Sequence, residues 1–204
     1  LRWYRDALCQ AEKAVAAETG RDPYEYITAA AEQAPVGSEG LTFLPYLTGE
    51  RTPHKDPYAK GAFIGLSLRH GRAHMARAVL EGVAFAMRDS LEIMREMGVP
   101  ITQARASGGG AKSPFWRQIQ ADVNNTPLVT INVDEGPAYG AALLATPQAG
   151  IYTSVEEACD ATIRVVNECK PNDANAKHYD AWFNLYQDSY TALAPGFKRA
   201  AELV

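Results

Sequence analysis

Three observations predict an α/β fold for this sequence. Short apolar runs alternate with helical patterns through the middle third, a long amphipathic pattern at 72–97 is closed by Gly98 and Pro100, and the last third reads as helical. That alternation builds layers of helix and sheet rather than an all-helical bundle. With 204 residues, 47% of them hydrophobic, the chain has enough apolar material for one sizeable core, so 1–204 is expected to fold as a unit.

Residues 1–18, rich in Ala, Glu and Lys with apolar groups at helical spacing, predict a first helix that stops at Gly20. Pro23 opens a second helix to about Gln33, and Pro35, Gly37 and Gly40 then make a loop. Residues 41–47 predict a buried strand bent at its exit by Pro45. Residues 49–60, crowded with charges and carrying Pro53 and Pro57, predict a long polar loop. A second strand is expected at 62–66. Within 72–97, Met75, Val79, Val83, Met87 or Ala86, Ser90 or Leu91, and Met94 share one face, while Arg77, Glu81, Arg88, Glu92 and Arg95 share the other. The remaining expectations are a strand at 103–107, a helix at 114–124, a strand at 128–132, a helix at 137–145, and two further helices at 154–168 and 175–193.

Charge and cysteine usage narrow the function classes. Twenty Lys and Arg stand against 24 Asp and Glu, giving −4, and the basic residues are scattered, which argues against a nucleic-acid partner. Apolar stretches are broken by Arg, Glu or Gly well short of the roughly 20 residues that span a bilayer, so neither a membrane segment nor a secretory signal is expected. Cys9, Cys159 and Cys169 fit neither a disulfide framework nor a zinc spacing. They read as small buried hydrophobes in a reducing, cytoplasmic setting. The chain opens without Met, inside a helical pattern, and looks cut from something longer. His54, His70, His74 and His178 show no metal spacing and read as structural. Asp89, Glu92 and Asp122 fall on helices, where surface pairing or capping is the default. No residue presents itself as a general base, so none in this chain is expected to be catalytic.

Two segments could carry chemistry. Ser107-Gly108-Gly109-Gly110-Ala111-Lys112-Ser113-Pro114 lies between a strand and a helix, where backbone N–H groups at a helix start can meet a phosphate or nucleotide. Consecutive glycines let a ligand touch the backbone. Ser113 as cap and Pro114 at the first helical position fix where the helix begins. The segment is not a P-loop, because Ala111 separates Gly110 from Lys112, and a plain Gly-rich turn is an equal alternative. The second segment, Gly136-Pro137-Ala138-Tyr139-Gly140-Ala141-Ala142, places small residues along a helix start, as close packing or a hinge requires. The loop at 49–57 reads as solvated with internal ion pairs.

Gly61-Ala62-Phe63-Ile64-Gly65-Leu66, seven residues, then His74-Met75-Ala76-Arg77-Ala78-Val79-Leu80-Glu81 resembles the C-terminal signature of the FGGY carbohydrate kinases at every position. Trp3-Tyr4-Arg5-Asp6, Gly49-Glu50-Arg51-Thr52-Pro53, Ser107 to Ala111 followed by Trp116-Arg117-Gln118 and Ala121-Asp122, and Glu135 to Ala142 look like segments of that family's xylulose-phosphorylating branch. The resemblance is weakest after about residue 150.

The resemblance implies an actin-like, ribonuclease H-like fold, of which 1–204 would be the C-terminal nucleotide-binding domain with a helical tail. It implies ATP and Mg2+ as cofactors and an adenosine contact at Gly109, Gly110 and Ala111. Pro114 would stand where some members carry an adenine-contacting Asn. The Gly140-Ala141 helix would lie at an interdomain hinge. It further implies as partners an N-terminal domain of the same kinase, absent from this chain and carrying the catalytic Asp, and a sugar, D-xylulose by the flanking loops. Gluconate, ribulose or glycerol are the alternatives, and a homodimer is compatible with all of them. Alone, the chain would be inactive. A non-catalytic nucleotide-binding module and a purely structural interaction domain remain open beside the kinase reading.

Overall fold

The computed structural model describes residues 1–133 and 136–203. The first expected helix is two, α1 (Arg2–Leu8) and α2 (Gln10–Thr19), broken at Cys9. Tyr4 and Cys9 are both buried, and the Tyr4 hydroxyl donates to the Arg72 carbonyl at 3.2 Å. Anchoring at these two points overrides a locally helical sequence. α3 (Pro23–Glu32) begins as expected, with the Asp22 carboxylate accepting from the Tyr24 N–H at 2.9 Å and Pro23 in the first turn.

β1 (Thr42–Leu44) and β2 (Ala62–Ile64) form an antiparallel pair with Phe43 opposite Phe63. Across them lies α4 (Arg72–Glu96), whose Gly82 lets helix backbone meet strand backbone: a Cβ there would stand 2.0 Å from the Phe43 carbonyl oxygen. Val79, Leu80, Ala84 and Phe85 join Leu41, Leu44, Tyr179 and Tyr186 in one core.

The two faces of α4 are not divided as the sequence predicts. Arg77 and Glu81 are 6% and 2% exposed, whereas Met87 and Met94 are 41% and 38% exposed. The charges tolerate burial because each is satisfied. Arg77 Nε meets Glu81 Oε1 at 2.7 Å, and Arg77 donates to the Ala34 carbonyl at 2.7 Å and to Tyr179 Oη at 3.1 Å. Glu81 accepts from Tyr179 Oη at 2.8 Å, the Gly37 N–H at 3.0 Å and the Ser38 hydroxyl at 3.0 Å.

The second sheet follows α4. β3 (Ala104–Ala106), α5 (Pro114–Asn124), β4 (Leu128–Ile131) and α6 (Gly136–Ala145) agree with expectation. The pattern at 154–168 does not stay helical: α7 (Val155–Thr162) ends early, and β5 (Val165–Cys169) pairs antiparallel with β4. Strand order is β3-β4-β5, with β3 and β4 parallel. α8 (Asp173–Ala201) closes the described chain and runs through Pro195. Arg88 and Arg95 of α4 donate to the Val123 and Asn124 carbonyls at 3.1 and 2.8 Å, satisfying the end of α5, so the polar face of α4 is an interface. Asp122 accepts from the Asn172 N–H and from Asn175 Nδ2, both at 2.8 Å, and ties α5 to the start of α8.

The 49–60 loop is closed by hydrogen bonds; among the described residues it holds no internal ion pair. Glu50 and Asp56 exchange two backbone bonds of 2.8 Å, Tyr190 Oη donates to Asp56 Oδ2 at 2.9 Å, and His54 stacks on Tyr190 with ring centroids 3.6 Å apart.

Asp89, expected at the surface, is buried. Its Oδ1 accepts from Gln187 Nε2 at 2.9 Å, and its Oδ2 is enclosed with no partner among the described residues. Burial pushes its carboxyl pKa up. A carboxyl raised in the folded state favours folding below its unfolded pKa and loses that contribution as pH rises through the folded value. Asp89→Asn is therefore expected to gain stability relative to wild type on going from about pH 4, near the ordinary aspartate value, to about pH 8. Urea unfolding of both proteins at the two pH values reads the difference, and a gap that is flat or narrows with pH would contradict the assignment.

Candidate functional site

β3 and β4 run parallel with Ala104 opposite Leu128 and Ala106 opposite Thr130, so their carboxyl ends open on the same side. Ligands of open α/β sheets lie outside those ends. The Gly-rich segment leaves β3 there. α6 starts on the same side, since a Cβ on Gly136 would stand 3.6 Å from Ser107 Oγ. Residues 107–110 are exposed, Ala111 is half-buried and Pro114 is exposed. The two segments singled out in the sequence therefore meet at one place.

Backbone conformation explains why glycine is needed. Gly108 has φ 75 and ψ −171, a region essentially closed to residues with a Cβ, and the chain then turns through a 3-10 segment at Gly109–Lys112. The positive φ falls on Gly108; Gly109 and Gly110 have no such conformation. Where side chains would stand on Gly108 and Gly109 there is no described atom within 4 Å, and at Gly110 the nearest is Trp116 Nε1 at 3.6 Å. A strip of bare peptide faces open space, as a planar or anionic ligand needs. α5 begins as expected, with Ser113 Oγ accepting from the Trp116 N–H at 3.3 Å and Pro114 in its first turn.

Two residues beside the turn, Trp116 and Arg117, enter the sequence analysis through the family resemblance alone, with no individual role. Trp116 Nε1 lies 3.6 Å from the Cβ position of Gly110, and Arg117 Nη1 donates to the Ala111 carbonyl at 2.5 Å. The signal available was their spacing, three and four residues after Ser113, which faces both back toward the helix start.

The second motif is only partly as expected. Glu135 lies outside the described residues. Ala141 and Ala142 are exposed, Leu143 is buried, and no described atom lies within 4 Å of the Cβ position of Gly140. The close approach that the small residues predict is thus not made among the described residues. His70 and His74 have local roles, their Nδ1 atoms accepting from the Ser67 and Gly71 N–H groups at 3.0 and 3.2 Å.

Among the described residues, no group of three or more His, Cys, Asp or Glu is placed to hold a metal ion, and no helix is long and apolar enough to cross a membrane.

The model of the C-terminal domain of the FGGY family of carbohydrate kinases matches residues 1–149. Xylulose kinase from Bacillus subtilis (strain 168) is 39% identical over 170 residues, covering 83% of this chain and 34% of the relative. Gluconokinase from the same organism is 34% identical over 205 residues, covering 95% and 39%. Among solved structures, ligand-bound xylulose kinase from Lactobacillus acidophilus superposes with TM-score 0.84 at 32% identity, covering 97% of this chain and 38% of that one. The chain spans about a third of the length of the curated relatives it matches.

Proposed function

The chain belongs to the FGGY family of carbohydrate kinases, and on that premise we propose that it forms the nucleotide-facing part of an ATP-dependent sugar kinase acting on D-xylulose. The observation that carries the reading is the meeting of the Gly-rich turn and the start of α6 at the carboxyl ends of β3 and β4, with open space over the bare peptides of Gly108 and Gly109. These residues fit an adenine nucleotide, whose chemical contribution is the phosphoryl group given to the sugar hydroxyl. Gly109, Gly110 and Ala111 offer peptide edges without side-chain bulk, and Pro114 adds a rigid apolar rim. α6, apolar on nearly all sides yet with Pro137, Ala138, Ala141, Ala142, Leu144 and Ala145 exposed, suits an element that meets another domain at a hinge.

Among the described residues no three carboxylates or histidines gather around one point, so the Mg2+ of the kinase reading would be held chiefly by the nucleotide phosphates. The catalytic Asp and the sugar pocket are assigned outside this chain, which alone should phosphorylate no sugar. Three unpaired cysteines suit a cytoplasmic setting.

The test has two arms on the full-length protein. Gly109→Val fills open space at a residue without positive φ, so the fold should be unaffected while ATP affinity falls tenfold or more, about 1.4 kcal/mol. An unchanged Kd by calorimetry would remove the turn from the nucleotide site. In a sugar panel D-xylulose should give the highest kcat/KM, and gluconate in first place would favour the gluconokinase relatives instead.

A further inference from the structure

We propose that Arg117 is the positioning residue of the nucleotide-facing turn, holding the Ala111 carbonyl so that the peptide strip is presented in one orientation; this rests on the nucleotide reading above. Three consecutive glycines give the unfolded segment wide conformational freedom, which the folded turn must restrain. The turn is a 3-10 segment entered by a bond from the Ala111 N–H to the Gly108 carbonyl at 3.0 Å. Arg117 adds a charge-assisted bond of 2.5 Å to the Ala111 carbonyl from the first turn of α5, a helix whose start is fixed by Ser113 and Pro114. Its Nε is enclosed and has no acceptor among the described residues, so the guanidinium is not simply a solvated surface charge. Trp116 Nε1 lies 3.6 Å from where a Cβ on Gly110 would stand.

The consequence for the ligand follows from peptide geometry. In a trans peptide the C=O and the following N–H point in opposite directions. Drawing the Ala111 carbonyl to Arg117 therefore directs the Lys112 N–H away from the guanidinium and sets the plane of the peptide beside Gly110. Arg117 touches no reacting atom in this arrangement. It acts through the turn, and its loss should be felt in nucleotide binding rather than in sugar binding.

The experiment compares Arg117→Gln and Arg117→Lys with wild type and Gly109→Val in the full-length protein, measuring KM for ATP, KM for D-xylulose, kcat and thermal unfolding. Arg117→Gln is expected to raise KM for ATP about tenfold while KM for the sugar stays within about twofold. Arg117→Lys, which keeps a cationic donor able to reach one carbonyl, should recover part of that rise. A purely structural role would lower the folded fraction and with it apparent kcat, leaving both KM values in place and overturning the proposal. If Gly109→Val raises KM for ATP and Arg117→Gln does not, the proposal fails while the nucleotide reading stands. If neither variant changes it, the nucleotide reading itself fails.

Discussion

The Gly82→Ala protein is expected to be destabilised by about 3 kcal/mol or more, although the change adds a single methyl group. The methyl would stand 2.0 Å from the Phe43 carbonyl oxygen and 3.0 Å from the carbonyl carbon, so a strand backbone rather than a mobile side chain obstructs it. Overpacking a filled core typically costs about 1–3 kcal/mol, and more when backbone must move. Here α4 and β1 would have to separate, loosening Phe43, Leu44, Val79 and Phe85 together. At roughly 2–4 °C per kcal/mol for a chain of this size, the melting temperature should fall by roughly 6–12 °C. Gly140→Ala is the matched control. It also sits inside a helix, but its Cβ would meet open space, so the better helix former should add about 0.5–1 kcal/mol. Equal melting temperatures for wild type and Gly82→Ala would show that the two backbones are not in contact.

Gly82 also marks where sequence reasoning stops. Its helix was plain from the apolar period and from Gly98, yet periodicity says nothing of what approaches a helix closely. α5 was readable at both ends because Ser113, Pro114 and Asn125 act locally. β5 was not, because Val165 to Glu168 are exposed on an edge strand and carry no alternation of buried and exposed residues; only the two adjacent valines hinted at it. The last helix is expected to stop at about residue 193, yet α8 continues through Pro195 and carries Phe197 onto the core, so packing outweighs the missing hydrogen bond. At the candidate site the Gly-rich turn and both helix starts were visible in the sequence. That they converge was not, since convergence depends on β3 and β4 being neighbours. Nor was the demand for glycine at position 108 in particular, because a run of three glycines hides which one carries the positive φ.

The buried pair on α4 yields the other large effect. Arg77→Met should destabilise the protein by about 3–5 kcal/mol, because it leaves the Glu81 carboxylate enclosed without its cation. The remaining donors, the Gly37 N–H and the hydroxyls of Ser38 and Tyr179, are neutral and cannot replace a guanidinium at 2.7 Å. Removing both charges would often be nearly neutral in an apolar setting. It should not be here, since Arg77→Met with Glu81→Leu would strand the Ala34 carbonyl, the Gly37 N–H and two hydroxyls, each costing about 1–3 kcal/mol when buried without a partner. The double variant should therefore remain well below wild type and yet lie above the sum of the two single changes, by about 0.5–3 kcal/mol of coupling. Urea unfolding of wild type, Arg77→Met, Glu81→Leu and the double variant closes the cycle. Strict additivity would mean that Arg77 and Glu81 do not act as a pair. A double variant as stable as wild type would mean that the loop at 34–38 finds other partners, and that the network does not hold it to α4 and α8.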